Sequence, residues 1–222
     1  MRKLLVLAVL VCASRANAAP VDVPVDVGVG PAAFLFVPGP VGDDQTLHYG
    51  LKISLQAIIN QQLIQREKNR IPPQYRNMVA SQKEIRLTPF PLTLIPEDIF
   101  ISPKIDHTSI YGATIKPISI GAALGGGGVR LGLDLGVVVT AAYLSSDTLP
   151  NTFFLRPGLG ATVELELMPT DVFGISIGWE SAVYIPQVLG TFLDVTPTNQ
   201  SIWHIGDAFL KFHFRFPYET NL

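Results

Sequence analysis

Residues 129–144, VRLGLDLGVVVTAAYL, decide the fold. Val129, Leu131, Leu133, Leu135, Val137, Val139, Ala141 and Tyr143 are apolar, and Arg130, Gly132, Asp134, Gly136 and Thr140 lie between them. Successive side chains of an extended strand point to opposite faces, so a period of two gathers all the bulky apolar groups on one side.

The same rule governs the rest of the C-terminal half. Phe153, Leu155, Leu159, Ala161, Val163, Leu165 and Leu167 oppose Arg156, Gly158, Gly160, Thr162, Glu164 and Glu166. Phe173, Ile175, Ile177, Trp179, Val183 and Ile185 oppose Gly174, Ser176, Gly178, Glu180 and Tyr184. Ala208, Leu210, Phe212, Phe214, Phe216 and Tyr218 oppose Asp207, Lys211, His213 and Arg215. Strands of soluble proteins average about 5 or 6 residues, whereas a tilted strand that crosses a bilayer needs about 9 to 11. These alternations run well past that length. Tyr143, Tyr184, Trp203 and Tyr218 stand near segment ends, where membrane barrels carry aromatic girdles. A soluble sandwich or barrel that hides its apolar face and binds a lipophilic ligand is the alternative that alternation alone also permits.

The connections alternate in length. MPTD after Leu167 and the glycines Gly125 to Gly128 read as tight turns, while SSDTLPN and TFLDVTPTNQ are longer. Outer-membrane barrels have short periplasmic turns and longer outward loops. In the first half, residues 32–37 and 46–55, joined by PGPVGDD, give one pair of strands, and residues 85–102 and 108–123, joined by PKIDH, give another. That makes eight strands. Pro89, Pro91, Pro96 and Pro117 interrupt the ladders there, so one strand is expected to be short, bulged or absent. Between the pairs, Leu55, Ile58, Ile59 and Leu63 recur at helical spacing, QREKNR follows and Pro72-Pro73 ends the run. This predicts a helical or loop insertion over about residues 56–84 that caps the periplasmic mouth, its charges a solvated face; a periplasmic partner is the alternative.

Composition narrows the classes further. The 222 residues carry a net charge of −2 and 15% charged residues, against about 25% in an average soluble domain. Disorder and nucleic-acid binding both need more charge. Arg2 and Lys3, the apolar run Leu4 to Ala13 and Ala16-Asn17-Ala18 form the three parts of a secretory signal peptide, predicting removal of residues 1–18 in Sec-type secretion and a barrel domain over 19–222. The one cysteine, Cys12, lies in that leader, so neither a disulfide nor a thiol nucleophile is expected. No uninterrupted run of about 18 apolar residues follows, which argues against a helical membrane protein.

On the inward faces, Arg130, Arg156, Lys211 and Arg215 meet Asp134, Glu164, Glu166, Glu180 and Asp207, with His213 beside them. An eight-stranded barrel is just wide enough inside for side chains to fill it. Near-balanced charges there are expected to pair as a polar lumen network that plugs the barrel, the alternative being the lining of a passive pore for small solutes. Histidines are the candidate catalytic groups. His204, with Asp207 three residues on and Ser181 or Ser201 free to approach in the fold, is the nearest constellation, yet spacing alone fixes no triad. The expectation is no catalytic residue, no metal site and no cofactor. GGGG lacks the lysine and following helix of a phosphate loop.

The signal peptide, the alternation, FFLRPGLGATVELELMPTDVFGISIGW and the closing AFLKFHFRFPY resemble small outer-membrane β-barrel proteins of Gram-negative bacteria, of the porin-like superfamily. The resemblance covers about residues 129–218. It implies an all-β, antiparallel transmembrane β-barrel in contact with outer-membrane lipid, folded by the barrel assembly machinery, which reads an aromatic last strand. Phe212, Phe214 and Phe216 match that signal, although the chain runs on through YETNL to Leu222. Such barrels include pores, adhesins, anchors and enzymes, so the resemblance does not choose a function.

Overall fold

A computed structural model describes residues 21–37, 46–66, 69, 73–80, 84–88, 94–101, 108–126, 128–147, 152–186 and 202–220. The proposed signal peptide lies outside them. The chain runs β1 (Val21–Val37), β2 (Thr46–Asn60), α1 (Gln61–Arg66), α2 (Pro73–Ala80), β3 (Glu84–Leu87), β4 (Pro96–Ile101), β5 (Thr108–Gly126), β6 (Val129–Ser146), β7 (Thr152–Leu167), β8 (Phe173–Tyr184) and β9 (Trp203–Thr220). All pairings are antiparallel between neighbours, and β1 pairs with both β2 and β9, so the sheet closes into a barrel. Closure leaves no free edge at that seam and rules out two packed sheets.

Nine strands fill eight positions. β3 and β4 share one, between β2 and β5. β4 pairs with β2 at Gly50–Lys52 and β3 pairs with it at Ala57–Asn60, so residues 53–56 of β2 have no partner on that side among the described residues. Residues 116–119 of β5 face the same break. The prolines account for it: Pro96 opens β4, and Pro117 sits where the β5–β6 register shifts, since proline cannot donate to a ladder. A recess of about 20 Å³ remains, lined by Ser54, Gln56, Thr88, Glu97 and Lys116 among others. It has room for about one water molecule.

At one rim, here the turn rim, β1, β3, β6 and β8 begin and β2, β5, β7 and β9 end, with the two tight turns among them. At the first turn Gly125 and Gly128 have φ of 122° and 87°, which only glycine adopts without strain, and the Met168 amide donates to the Gly128 carbonyl. At the opposite rim, here the loop rim, β1, β4, β6 and β8 end and β2, β5, β7 and β9 begin.

The insertion is corrected in two respects. Leu55, Ile58 and Ile59 belong to β2, which continues to Asn60; their helical spacing is coincidental, for Ile58 points inward while Ile59 points out. Pro73 does not end a helix but opens the second one, where its missing amide hydrogen costs nothing. Leu63 of α1 packs against Val23, Ala57 and Ile59.

Alternation governs both faces. Leu131, Leu133, Leu135, Leu159, Leu165, Ile177, Phe212, Phe214 and Phe216 stand exposed on the outside, Leu135 by 62%. The expected girdle is also corrected. Tyr143 is exposed outside in one line of paired positions that runs from Ile101 through Tyr111 to Phe153, and Tyr49 is exposed outside as well. Tyr184 and Trp203 instead point inward and are 2% and 1% exposed. The Tyr218 side chain lies outside the described residues.

Candidate functional site

The interior divides into three layers along the barrel axis. Nearest the turn rim is a basal layer of paired charges. Arg86 of β3 donates through Nε and Nη2 to Glu84 Oε1 at 2.9 and 2.8 Å, through Nη2 to Glu166 Oε2 at 2.7 Å, and through Nη1 to Glu166 Oε1 and to Glu164 Oε1 at 3.3 Å. Arg130 donates to Glu84 Oε2 at 2.8 Å, Lys211 Nζ lies 2.8 Å from Glu164 Oε2, and Arg215 Nε donates to Asp26 Oδ2 at 2.8 Å. These four cations face Asp26, Glu84, Glu164 and Glu166, so the layer is balanced before His213 is counted.

His213 occupies the centre of a chain that looks like a catalytic relay. Its Nδ1 is 2.7 Å from Asp26 Oδ1, its Nε2 is 2.8 Å from Ser176 Oγ, and Ser176 donates to Glu164 Oε2 at 3.1 Å. The hydrogen-bond directions separate it from a hydrolase. A nucleophilic serine gives its proton to the imidazole, whereas Ser176 gives its proton to Glu164. Ser176 and His213 are also 1% and 2% exposed, with Arg215 over Asp26 and Arg86 over Glu164, which leaves a substrate no approach. The relay serves to cross-link β1, β7, β8 and β9.

The middle layer is strongly acidic. Lys52 Nζ lies 2.8 Å from Asp98 Oδ1, 2.8 Å from Glu180 Oε2, 3.2 Å from Asp207 Oδ2 and 3.8 Å from Glu97 Oε1. Lys116 Nζ lies 3.0 Å from Glu97, 3.1 Å from Asp134 and 3.1 Å from Glu180, and Thr162 Oγ1 donates to Glu180 at 2.8 Å. Two ammonium groups thus serve five carboxylates. Glu97 and Asp98 are consecutive yet both reach the lumen, because the register slips between Pro96 and Asp98 as a bulge. Asp98, Glu180 and Asp207 stand within 4.8 Å of one another, the spacing of metal ligands, but the Lys52 ammonium already occupies their centre. Glycines make room for these long side chains. A Cβ at Gly132 would come within 2.8 Å of Glu164 Cγ, and one at Gly160 within 2.8 Å of Glu180 Oε1.

Toward the loop rim the interior becomes aromatic. Phe34 and Phe100 meet edge-on at 5.4 Å between centroids, Phe36 and Phe100 at 5.6 Å, and Phe154 and Trp203 at 4.7 Å. Ile110, Val138, Ala142, Ala182 and Ile205 fill the spaces between them. Arg156 lies 3.6 Å above the Trp203 ring, a cation–π stack within this layer. Thr140 donates to the Tyr184 hydroxyl at 2.9 Å and meets Thr114 at 2.7 Å. Phe209 joins the layers, with Lys211 4.7 Å and Lys52 5.5 Å from its ring centre.

The ten lumen residues read from the sequence therefore separate by depth. Arg130, Glu164, Glu166, Lys211, His213 and Arg215 come together in the basal layer; Asp134, Glu180 and Asp207 meet in the middle; Arg156 stacks apart from both among the aromatic rings. Asp26, Lys52, Glu84, Arg86, Glu97, Asp98 and Lys116 were not anticipated. Lys52 and Asp26 obey simple alternation with apolar neighbours, a legible signal. His204 and Asp207, three residues apart, fall on opposite faces: His204 Nε2 pairs with Ser181 Oγ at 2.7 Å on the outer wall, while Asp207 holds Lys52 inside. Ser201 lies outside the described residues.

No family model matches the chain, and no curated protein matches it in sequence. Among solved structures it is similar to neisserial surface protein A, with 12% identity and a TM-score of 0.55 over 86% of this chain and 97% of that one. It also aligns with Ail, the attachment invasion locus protein of Yersinia pestis, over 88% of this chain and 100% of that one, at 12% identity and a TM-score of 0.49. At such identity the first likeness speaks for the fold, and the second is too loose to add to it. The fold is that of the small outer-membrane β-barrels of Gram-negative bacteria.

Proposed function

We propose that the protein is an integral outer-membrane barrel with a structural or interaction role, plugged along its axis and without catalytic activity. The apolar outer wall, its aromatic line and the gathering of tight turns at one rim support a membrane setting with the loop rim outward. In this reading the leader is removed in Sec-type secretion and the assembly machinery inserts the barrel. The observation that carries the plug is the aromatic layer: Phe34, Phe36, Phe100, Phe154 and Trp203 fill the same cross-section, each 1% exposed. An ion that traversed the lumen would have to leave the charged layers and pass between packed rings, where bare charge is very costly.

Planar-bilayer recording tests this directly. The wild-type protein is expected to give no steady conductance, and the combined variant Phe100→Ser with Trp203→Ser to open measurable channels. A stable wild-type conductance altered by Asp134→Ala would establish a passive pore instead.

A further inference from the structure

The outer wall is apolar around His204 of β9 and Ser181 of β8. Across the ladders His204 stands between Val37 and Val183, and Ser181 between Ala161 and Gly206. His204 Nε2 and Ser181 Oγ meet at 2.7 Å, both side chains half-buried on the face turned away from the lumen. An ionisable side chain on a lipid-facing wall is costly and by default marks a functional site. A neutral imidazole has one N–H and one bare nitrogen, so with Ser181 donating to Nε2 the hydrogen sits on Nδ1. That nitrogen meets no partner among the described residues. The pair therefore lacks the carboxylate that orients the histidine of a serine hydrolase, and Asp207, three residues on, holds Lys52 on the opposite face.

The register sets the depth of this pair. Followed round the barrel from Val25, a row of paired residues passes through Ala57 of β2, Leu135 of β6 and Gly206 of β9 and returns to β1 at Leu35, ten residues nearer the loop rim. Each step to the next strand therefore climbs about 1.25 residues. On that scale Tyr49 stands about 9, His204 about 11 and Tyr111 about 12 residues above Val25. Both tyrosines are exposed outside, at the level where a membrane barrel carries its aromatic girdle. His204 thus offers a hydrogen-bond donor at the boundary between acyl chains and headgroups. We propose that His204, held by Ser181, binds the phosphate of a lipid in the leaflet at the loop rim, with Nδ1–H donating to a phosphate oxygen. This rests on the outer-membrane reading above. An ionised phosphate oxygen only accepts, so it selects the tautomer in which Ser181 donates to Nε2.

Trp179 reports on this face. It is exposed on the outer wall, two residues from Ser181 toward the turn rim, and its ring lies over Gly206. The other tryptophan of the chain, Trp203, points inward, and Trp203→Phe leaves Trp179 as the single fluorophore. With the full barrel folded into phosphatidylcholine vesicles, quenching by phosphatidic acid with brominated chains is compared with quenching by phosphatidylcholine brominated in the same way. Phosphatidic acid should associate several-fold more strongly, should keep that advantage at ~0.5 M NaCl because a direct hydrogen bond is not screened as diffuse attraction is, and should lose it in His204→Phe. The heat-dependent gel shift of a closed barrel is recorded for every variant; should His204→Phe lack it, Ser181→Ala, which releases Nε2 and with it the tautomer, takes its place and should weaken the preference. Equal quenching by the two lipids, or a preference unchanged in the folded variant, would overturn the proposal. So would a Trp179 that neither lipid reaches in a barrel that sediments as a dimer, which would name a second copy as the occupant. A wild type that fails to insert into any vesicle refutes the membrane reading, whereas insertion without lipid preference refutes this inference alone.

Discussion

Replacing Lys52 by methionine should be the most damaging single charge removal in the barrel. The side chain is fully buried and its ammonium lies within 3.2 Å of three carboxylates, with a fourth at 3.8 Å. Methionine keeps the length and removes the charge, leaving Lys116 alone to serve Glu97, Asp98, Asp134, Glu180 and Asp207. Breaking a buried ion pair by deleting one partner costs about 3–5 kcal/mol, because the other partner stays charged and dry. The layer is already rich in acid, so the cost should fall at the upper end of that range. Adding Asp98→Asn removes the nearest stranded carboxylate, and the double variant should recover about 2 kcal/mol of the loss. Arg130→Gln is the control: its side chain is 24% exposed at the turn rim, and its removal should cost less than about 1 kcal/mol. Urea unfolding in lipid vesicles, followed by tryptophan fluorescence and by the gel shift, gives all three values. A Lys52→Met protein within about 0.5 kcal/mol of wild type would refute the buried-network reasoning. So would an Asp98→Asn addition that recovers nothing.

The outer wall and the packed lumen make separate predictions. Leu135, exposed outside, should cost about 2–4 kcal/mol in vesicles when changed to arginine, against the small change expected of a water-exposed site, so a neutral Leu135→Arg would deny that this face meets lipid. Gly160→Val should lower stability by about 1–3 kcal/mol and the temperature of the gel shift with it, since even a Cβ there meets Glu180 Oε1 at 2.8 Å and Val138 Cγ1 at 3.1 Å; an unchanged shift would mean that the lumen has slack.

Where one face was polar and the other apolar, the sequence could be read residue by residue. From Val129 onward every strand meets that condition away from the loop rim, so the inward positions of Asp134, Glu164, Glu180 and Lys211 follow from parity alone. Near the loop rim the condition fails. Phe34 and Phe36 point inward while Ala33, Leu35 and Val37 point out, so both faces are apolar and the alternation vanishes although the strand continues. That blindness hid the aromatic layer and let Trp203, and Tyr184 against its own parity, pass for an outer girdle. In β4 and β5 the difficulty is different: bulges at Glu97 and around Pro117 change the parity partway along a strand, so counting outward from any apolar residue misplaces Glu97 or Lys116. Depth escapes periodicity altogether. Arg156 and Glu166 share a face and a strand, yet one stacks on Trp203 and the other grips Arg86, because strand tilt and register decide which cross-section each occupies.

The shared position of β3 and β4 acts as an expansion joint. In an unbroken closed sheet, adding one residue to a strand would turn every later side chain through the wall, exchanging its wet and oily surfaces. Here β3 takes its register from Ile85↔Ala122 and β4 takes its own from Ile99↔Ala113, each held by β2 and β5 without reference to the other. Residues 88–95 can therefore grow or shrink while Arg86 and Asp98 keep their orientation. The barrel has a site where new sequence can be spliced in without rewriting the old, and a lineage built on this plan would be expected to vary there first.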